Sequence, residues 1–285
     1  MPNYVPYLLL ACIAILITIV TAIRKQEPFT LFLHLSFAGM IYVFEVFVLV
    51  VFEAYTYYPK FLKNSFLDSM VGATFSDFFI VPSIGVLLAF YQLRWPWIGF
   101  FAAAMSGLDV LFVHLGLYSH EGWSSWYTFF ALLFFFPMCR IWIRKIQEGN
   151  RSFCYLTYLM FAFSTTDSTM FILLLSGLRR MKMGLYPNPY RDDVILTVCS
   201  AFAITLLLGS VIYATNKRRY WAAAWVIIIA GQYILYRTGH LILFVQPWIY
   251  AIAFLAFLGA ATWMDMIGLK WLRAYVEKKK NYIST

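Results

Sequence analysis

Long apolar runs alternate with short polar breaks along the whole chain. A membrane-spanning helix needs about 20 mostly apolar residues. Runs of that kind cover 5–23, 29–53, 71–92, 97–117, 125–143, 152–178, 194–214, 221–243 and 247–268. The breaks are polar, as at Arg24-Lys25, the Tyr57-Tyr58-Pro59 loop, Arg94, Ser119-His120-Glu121-Gly122, 140–151, 179–193 and Lys217-Arg218-Arg219. The least marked break lies between the last two runs, at Gln246-Pro247. The pattern predicts an all-α polytopic membrane protein of about nine transmembrane helices. Composition agrees. Hydrophobic residues make up 62% of the 285, charged residues only 12%, and mean hydropathy is +0.74. A soluble domain carries about 25% charged residues, so soluble, disordered and collagen-like classes are excluded.

Charge orients the spans. With the N-terminus outside, fifteen of the 22 basic residues fall on the inner side and six on the outer, with Arg237 inside a span. Positive residues concentrate on the cytoplasmic side of membrane proteins, so this bias predicts an N-terminus outside, a cytoplasmic C-terminus and a place in the cell membrane. The net charge of +9 is thereby read as topology rather than as a nucleic-acid surface. No charged segment precedes the first apolar run, and no small-residue cleavage site follows it, so the first run is expected to be a retained helix.

The order of landmarks repeats. Phe37-Ala38, Tyr58-Pro59, Asp68, Arg94-Trp95-Pro96-Trp97, Gly107 and Leu111 are followed in the same order by Phe161-Ala162, Tyr186-Pro187, Asp193, Arg218-Arg219-Tyr220-Trp221, Gly231 and Leu235. Arg94 and Arg218, Trp97 and Trp221, and Gly107 and Gly231 share an offset of 124. The expected organisation is an extra N-terminal helix over 1–28, a four-helix repeat over 29–150, and a second over 151–285 with a cytoplasmic tail. Four spans per unit make the repeat parallel, with its axis along the membrane normal.

Ionisable residues inside the runs are the candidates for chemistry, because burying a charge there costs about 2.5–3.5 kcal/mol or more. They are Glu45, Asp77, Asp109, His114, Asp167, Arg237 and His240, with His34 and Glu53 nearer span ends. The topology sets the first seven in the middle or outer half of the bilayer, which predicts a shared polar cavity opening outward. Tyr233, Arg237 and His240 recur at i, i+4 and i+7 on one helix face. Ser164, Asp167 and Phe171, at i, i+3 and i+7, share a face as well. The acids outnumber Arg237, the one embedded base expected. An unpaired carboxyl in a dry site holds its proton and becomes a proton donor. The bland alternative is interhelical hydrogen bonding. Phe, Tyr and Trp are 20% of the chain. Most face lipid or neighbouring helices, and the remainder can line a cavity whose ring faces stabilise a cation.

Other chemistries find no support. No lysine lies in a span, which excludes a retinal Schiff base, and no zinc-protease, phosphate-loop, dinucleotide or serine-hydrolase motif occurs. Asp192-Asp193 is a lone acidic pair, too few carboxylates for Mg²⁺ on a diphosphate. The four histidines have no metal-ligand spacing, and His120 reads as a solvated loop residue. Cys12, Cys139, Cys154 and Cys199 read as small buried apolar residues. Pro82 is expected to kink its helix beside Asp77. No cofactor or metal is expected.

The Tyr57-Tyr58-Pro59 loop and the stretch from Phe78 to Pro82 give the chain a layout that resembles small multi-spanning membrane proteins of Firmicutes. Phe44-Glu45-Val46-Phe47, in a span leading to a Tyr-Pro loop, resembles integral-membrane terpene cyclases over about 15 residues. That likeness implies a compact helical enzyme in which an acid on one span protonates an isoprenoid and others assist, with Glu45 as donor and Asp167 as the second acid. Three functions stay open. The first is an intramembrane acid–base enzyme, with Glu45, Asp167, Asp109 and Asp77 catalytic and His114, Tyr233, Arg237 and His240 on the substrate, which would be a membrane lipid or isoprenoid. The second is a transporter using the same acids as a proton or cation relay. The third is a non-catalytic lipid- or partner-binding protein.

Overall fold

The computed structural model describes residues 2–283. Its α- and π-helical stretches join into nine continuous helices among these residues. They are α1 (Tyr4–Lys25), α2 (Phe29–Glu45) continued by a π-helical turn over Val46–Val51, and α3 (Ser65–Thr74) running through a second π turn, Phe75–Ile80, into α4 (Val81–Tyr91). Next come α5 (Trp95–His114), α6 (Ser125–Gln147), α7 (Arg151–Leu175), and α8 (Pro189–Ile204) running through a third π turn, Thr205–Gly209, into α9 (Ser210–Ala214). The last are α10 (Arg218–Arg237) and α11 (Pro247–Ile283). Eight of the nine are long and apolar enough to cross a membrane, and the chain is a multi-pass membrane protein. α10 is not among the eight: Arg218, Arg219 and Arg237 at its ends and Gln232 within it lower its apolar character.

Helix boundaries depart from the apolar pattern where polar residues cap. The third helix starts at Ser65, ahead of the apolar run at 71, because the Asn64 side chain accepts a hydrogen bond from the Leu67 N–H. The seventh starts at Pro189, ahead of 194, because Asn188 accepts from Tyr190 N–H and proline suits the first helical position. The eighth ends at Arg237, short of 243. Gly239 turns the chain there with φ +79°, and residues 241–243 go into a strand.

Two short antiparallel strand pairs lie between the helices. β1 (Tyr55–Tyr57) pairs with β2 (Tyr118–His120), setting Tyr55 against His120 and Tyr57 against Tyr118. β3 (Arg179–Met181) pairs with β4 (Leu241–Leu243), setting Arg179 against Leu243 and Met181 against Leu241.

The chain divides into two compact units, residues 1–154 with 271–285, and residues 155–270. In the first, Tyr7, Leu49, Tyr55, Phe112 and Tyr118 form one buried cluster, and Ala14, Ile84, Leu88, Ile98 and Phe136 another. The end of α11 closes on this unit. Tyr275 stacks on Phe29 with ring centroids 3.9 Å apart, Gln147 Nε2 donates to its hydroxyl at 2.9 Å, and Lys278 meets Glu27 at 2.6 Å. In the second unit, Gly268 packs so tightly on the Phe161 ring that an added Cβ would lie 2.4 Å from it. Apolar side chains such as Leu16, Phe134 and Val226 stand on outer faces, as lipid contact requires. Of the cysteines, Cys139 and Cys154 are buried, but Cys12 and Cys199 are exposed on their helices, where a small apolar thiol also suits lipid.

Local details recur at one spacing. Asp68 accepts hydrogen bonds from the backbone N–H groups of Lys60, Phe61 and Leu62 at 2.7–2.9 Å. Asp192 accepts from those of Met183, Gly184 and Leu185 over the same range. Tyr57 N–H donates to Ser69 Oγ at 3.0 Å, and Met181 N–H to Asp193 Oδ1 at 2.9 Å. Left-handed backbone falls at Glu53 and Lys60 in the first unit and at Gly177 and Gly184 in the second. Gly85 packs against Phe37, and Gly209 against Ala162. Asn64 and Asn188, Asp68 and Asp192, Ser69 and Asp193, Glu53 and Gly177, Lys60 and Gly184, and Gly85 and Gly209 are each 124 residues apart. These bonds pair Asp68 with Asp192, not with Asp193 as the sequence landmarks suggested, because Asp192 is the acid that gathers the loop's N–H groups.

Candidate functional site

The two π turns of the first unit lie at two of its embedded acids. Glu45 is the last α-helical residue before the turn at 46–51, and Asp77 lies inside the turn at 75–80. Widened turns of this kind concentrate at functional sites because they leave backbone groups free and re-aim side chains. The second turn has a local cause. In an α-helix the Phe78 carbonyl would accept from residue 82, but Pro82 has no N–H. His34 supplies the donor instead: its Nε2 lies 2.8 Å from the Phe78 oxygen. Its Nδ1 is 3.2 Å from Thr18 Oγ1, which lies 2.8 Å from Ser83 Oγ. An N–H on Nε2 leaves Nδ1 to accept from Thr18. His34 is thereby accounted for as a support of the unwound helix, and the kink expected at Pro82 takes the form of a change in helical winding.

Glu45, Asp77 and Asp109 line one cavity of about 420 Å³ within the first unit. The rest of the wall is chiefly apolar and aromatic, including Tyr7, Phe44, Tyr55, Phe112, Tyr118 and Trp123, and it contains no lysine, arginine or histidine. The strand pair delivers the tyrosines. Tyr55 and Tyr57, on β1, have ring centroids 5.3 Å and 4.6 Å from that of Tyr118 on β2. Tyr55 O–H donates to Glu45 Oε1 at 2.5 Å. Burial, and then the nearby Glu45 carboxyl, push the Tyr55 hydroxyl well above its ordinary value, so it stays a donor. Burial also raises Tyr57 and Tyr118, the latter aided by Asp109.

Asp109 is held more fully. Its Oδ1 lies 2.8 Å from His120 Nε2 and 3.0 Å from Ser125 Oγ, and its Oδ2 accepts from Thr128 Oγ1 at 2.7 Å. Trp123 Nε1 in turn donates to Thr128 at 2.8 Å. This corrects the reading of His120 as a solvated loop residue. β2 turns it onto Asp109, and only 23% of its side chain is exposed.

The other sequence candidates lie elsewhere. His114 ends α5 and is exposed, outside the cavity wall. Asp167 belongs to the second unit, where its Oδ1 is buried without a hydrogen-bond partner in the protein. Tyr233, Arg237 and His240 are exposed. α10 ends at Arg237, exposed in its last turn, and His240 lies beyond the helix. Among the described residues the buried base is Arg179, on β3. It is 1% exposed, and Nη1 donates to Asp193 Oδ1 at 2.5 Å and to Thr197 Oγ1 at 3.0 Å. Burial pulls its guanidinium below the ordinary arginine value, and the Asp193 carboxylate acts against that. Its pairing across a turn has no sequence periodicity to betray it. Asp265 is a different omission. It lies inside the apolar run 247–268, is 1% exposed, and has Oδ1 buried without a partner in the protein. The sequence carried the signal that it is embedded.

Among the described residues no cluster of three or more His, Cys, Asp or Glu could hold a metal ion. The chain matches no family model, no curated protein and no solved structure.

Proposed function

We propose that the protein is an intramembrane acid–base enzyme, a cyclase or isomerase, acting on an isoprenoid or another apolar lipid in the cavity of the first unit. One observation carries this reading: Glu45 and Asp77, buried at two π turns, line an apolar, aromatic cavity that contains no basic side chain. With Tyr55 donating to Oε1, the acid proton of Glu45 sits on Oε2 and is delivered to a carbon–carbon double bond of the substrate. Ring faces stabilise the cation so formed. The Asp77 carboxylate takes a proton from a neighbouring carbon, which forms the product double bond. Asp109, its oxygens engaged by His120, Ser125 and Thr128, is a positioning residue. Asp167, His114, Tyr233, Arg237 and His240 take no part in this scheme.

The same reading sets the chain in the cell membrane with nine spans, an outer N-terminus and a cytoplasmic C-terminus. An extra first helix precedes two four-helix units in tandem, for which the recurrence of caps and left-handed positions every 124 residues is the support. A second functional reading, proton-coupled transport, is favoured by the unpartnered Asp167 and Asp265 oxygens in the second unit.

Native lipid mass spectrometry on the purified protein tests the enzyme. An isoprenoid retained by Glu45→Gln and converted by the wild type is the expected result. No specific lipid in either sample would overturn it, and proton uptake into liposomes would then decide on transport.

A further inference from the structure

The cavity of the first unit is lined by acidic side chains and by no basic one. Three carboxyl groups line it, and neither lysine, arginine nor histidine does. Asp109 is satisfied by three neighbours, but among the described residues Glu45 receives only the Tyr55 hydroxyl. The second unit treats the corresponding strand differently. Arg179 opens β3 as Tyr55 opens β1, 124 residues earlier. Its guanidinium is buried against Asp193 and Thr197. The positions 124 beyond Glu45, Asp77 and Asp109 are Thr169, Ala201 and Tyr233. The second unit therefore has a resident cation and lacks those acids, whereas the first has the acids, an open volume and a tyrosine at the cation's position.

We infer that the cavity of the first unit binds an organic monocation, a quaternary ammonium or protonated alkylamine that the chain does not itself supply. A metal ion would need several oxygen ligands at once, and no such cluster exists among the described residues. An alkylated ammonium suits the wall on both counts. Its charge is attracted by the Asp77 carboxylate, by the carboxyl oxygens of Glu45 and by the aromatic rings of Tyr55, Tyr118 and Trp123, and its alkyl groups match the apolar remainder. A volume of about 420 Å³ is that of a small-ligand site. The inference rests on reading this cavity as a ligand site, and it names the ligand's charge.

Equilibrium dialysis of the full chain in nanodiscs, corrected with empty nanodiscs, compares benzyltrimethylammonium with its uncharged carbon isostere, neopentylbenzene. The expected result is a preference for the cation of about tenfold or more. The Glu45→Gln/Asp77→Asn double variant should lose that preference while still binding the isostere, which also establishes that it is folded. Asp265→Asn, in the second unit, should keep it. Equal binding of the two probes, or better binding of the isostere, overturns the cation inference and leaves the apolar-substrate reading standing. Binding of neither overturns both.

Discussion

His34 exemplifies how a single side chain holds an irregular helix. It answers a carbonyl that Pro82 leaves without a donor. Truncation by His34→Ala strands that carbonyl in a buried place, where an unmet hydrogen bond costs about 1–3 kcal/mol. Thermal unfolding in detergent should fall accordingly, and His34→Gln, which keeps a donor, should recover part of the loss. Backbone conformation makes a second test. Lys60 and Gly184 both adopt left-handed φ, 60° and 81°, which costs a side-chain-bearing residue about 1–2 kcal/mol. Lys60→Gly should leave stability unchanged or raise it slightly, and Gly184→Ala should lower it by about 1 kcal/mol in the same measurement. Neither effect was legible beforehand. A histidine near a span end and a lysine in a loop look alike whether or not the backbone depends on them.

The helices themselves were largely legible, because a run of apolar residues long enough to cross a bilayer has few other uses. Their ends were not, since the caps at Asn64 and Asn188 extend helices into segments too polar for the apolar pattern to include. The strand pairs were missed for the opposite reason. Three residues each are too few to establish an alternation, and Leu241–Leu243 read as the tail of a span. The first strand of each pair is followed by a loop tied down by one carboxylate, Asp68 or Asp192, that gathers three N–H groups. Asp68→Ala and Asp192→Ala should each destabilise by about 2 kcal/mol, since bonds to a charged acceptor are stronger than neutral ones. Thermal melts of the two variants give the comparison, and a large inequality would speak against equivalent units.

At the scale of the molecule, the site was legible in part. Three embedded acids of the first unit were singled out and share a cavity, because carboxyls inside apolar runs are few and conspicuous. The residues expected from the second half belong to the second unit, and helix-face arithmetic says nothing of which unit a helix packs in. The proposed orientation is open to a direct test. After replacement of the four cysteines, a cysteine at Ser119 should react with a membrane-impermeant maleimide in intact cells. One at Lys217 should react only after permeabilisation, and the reverse pattern would invert the topology.

The docking of Tyr275 on Phe29 also has a consequence for biogenesis. The first unit includes residues 271–281, yet these leave the ribosome after all of the second unit. At about 5–20 residues per second, roughly 6–24 s of synthesis separate Cys154 from Tyr275. For that interval the half that bears the cavity is unfinished, and Phe29, Gln147 and Glu27 await their partners in the nascent chain. A ribosome stalled shortly before Tyr275 would leave the cavity-bearing half unlatched, so quality control that inspects this contact would be reading the completeness of the message.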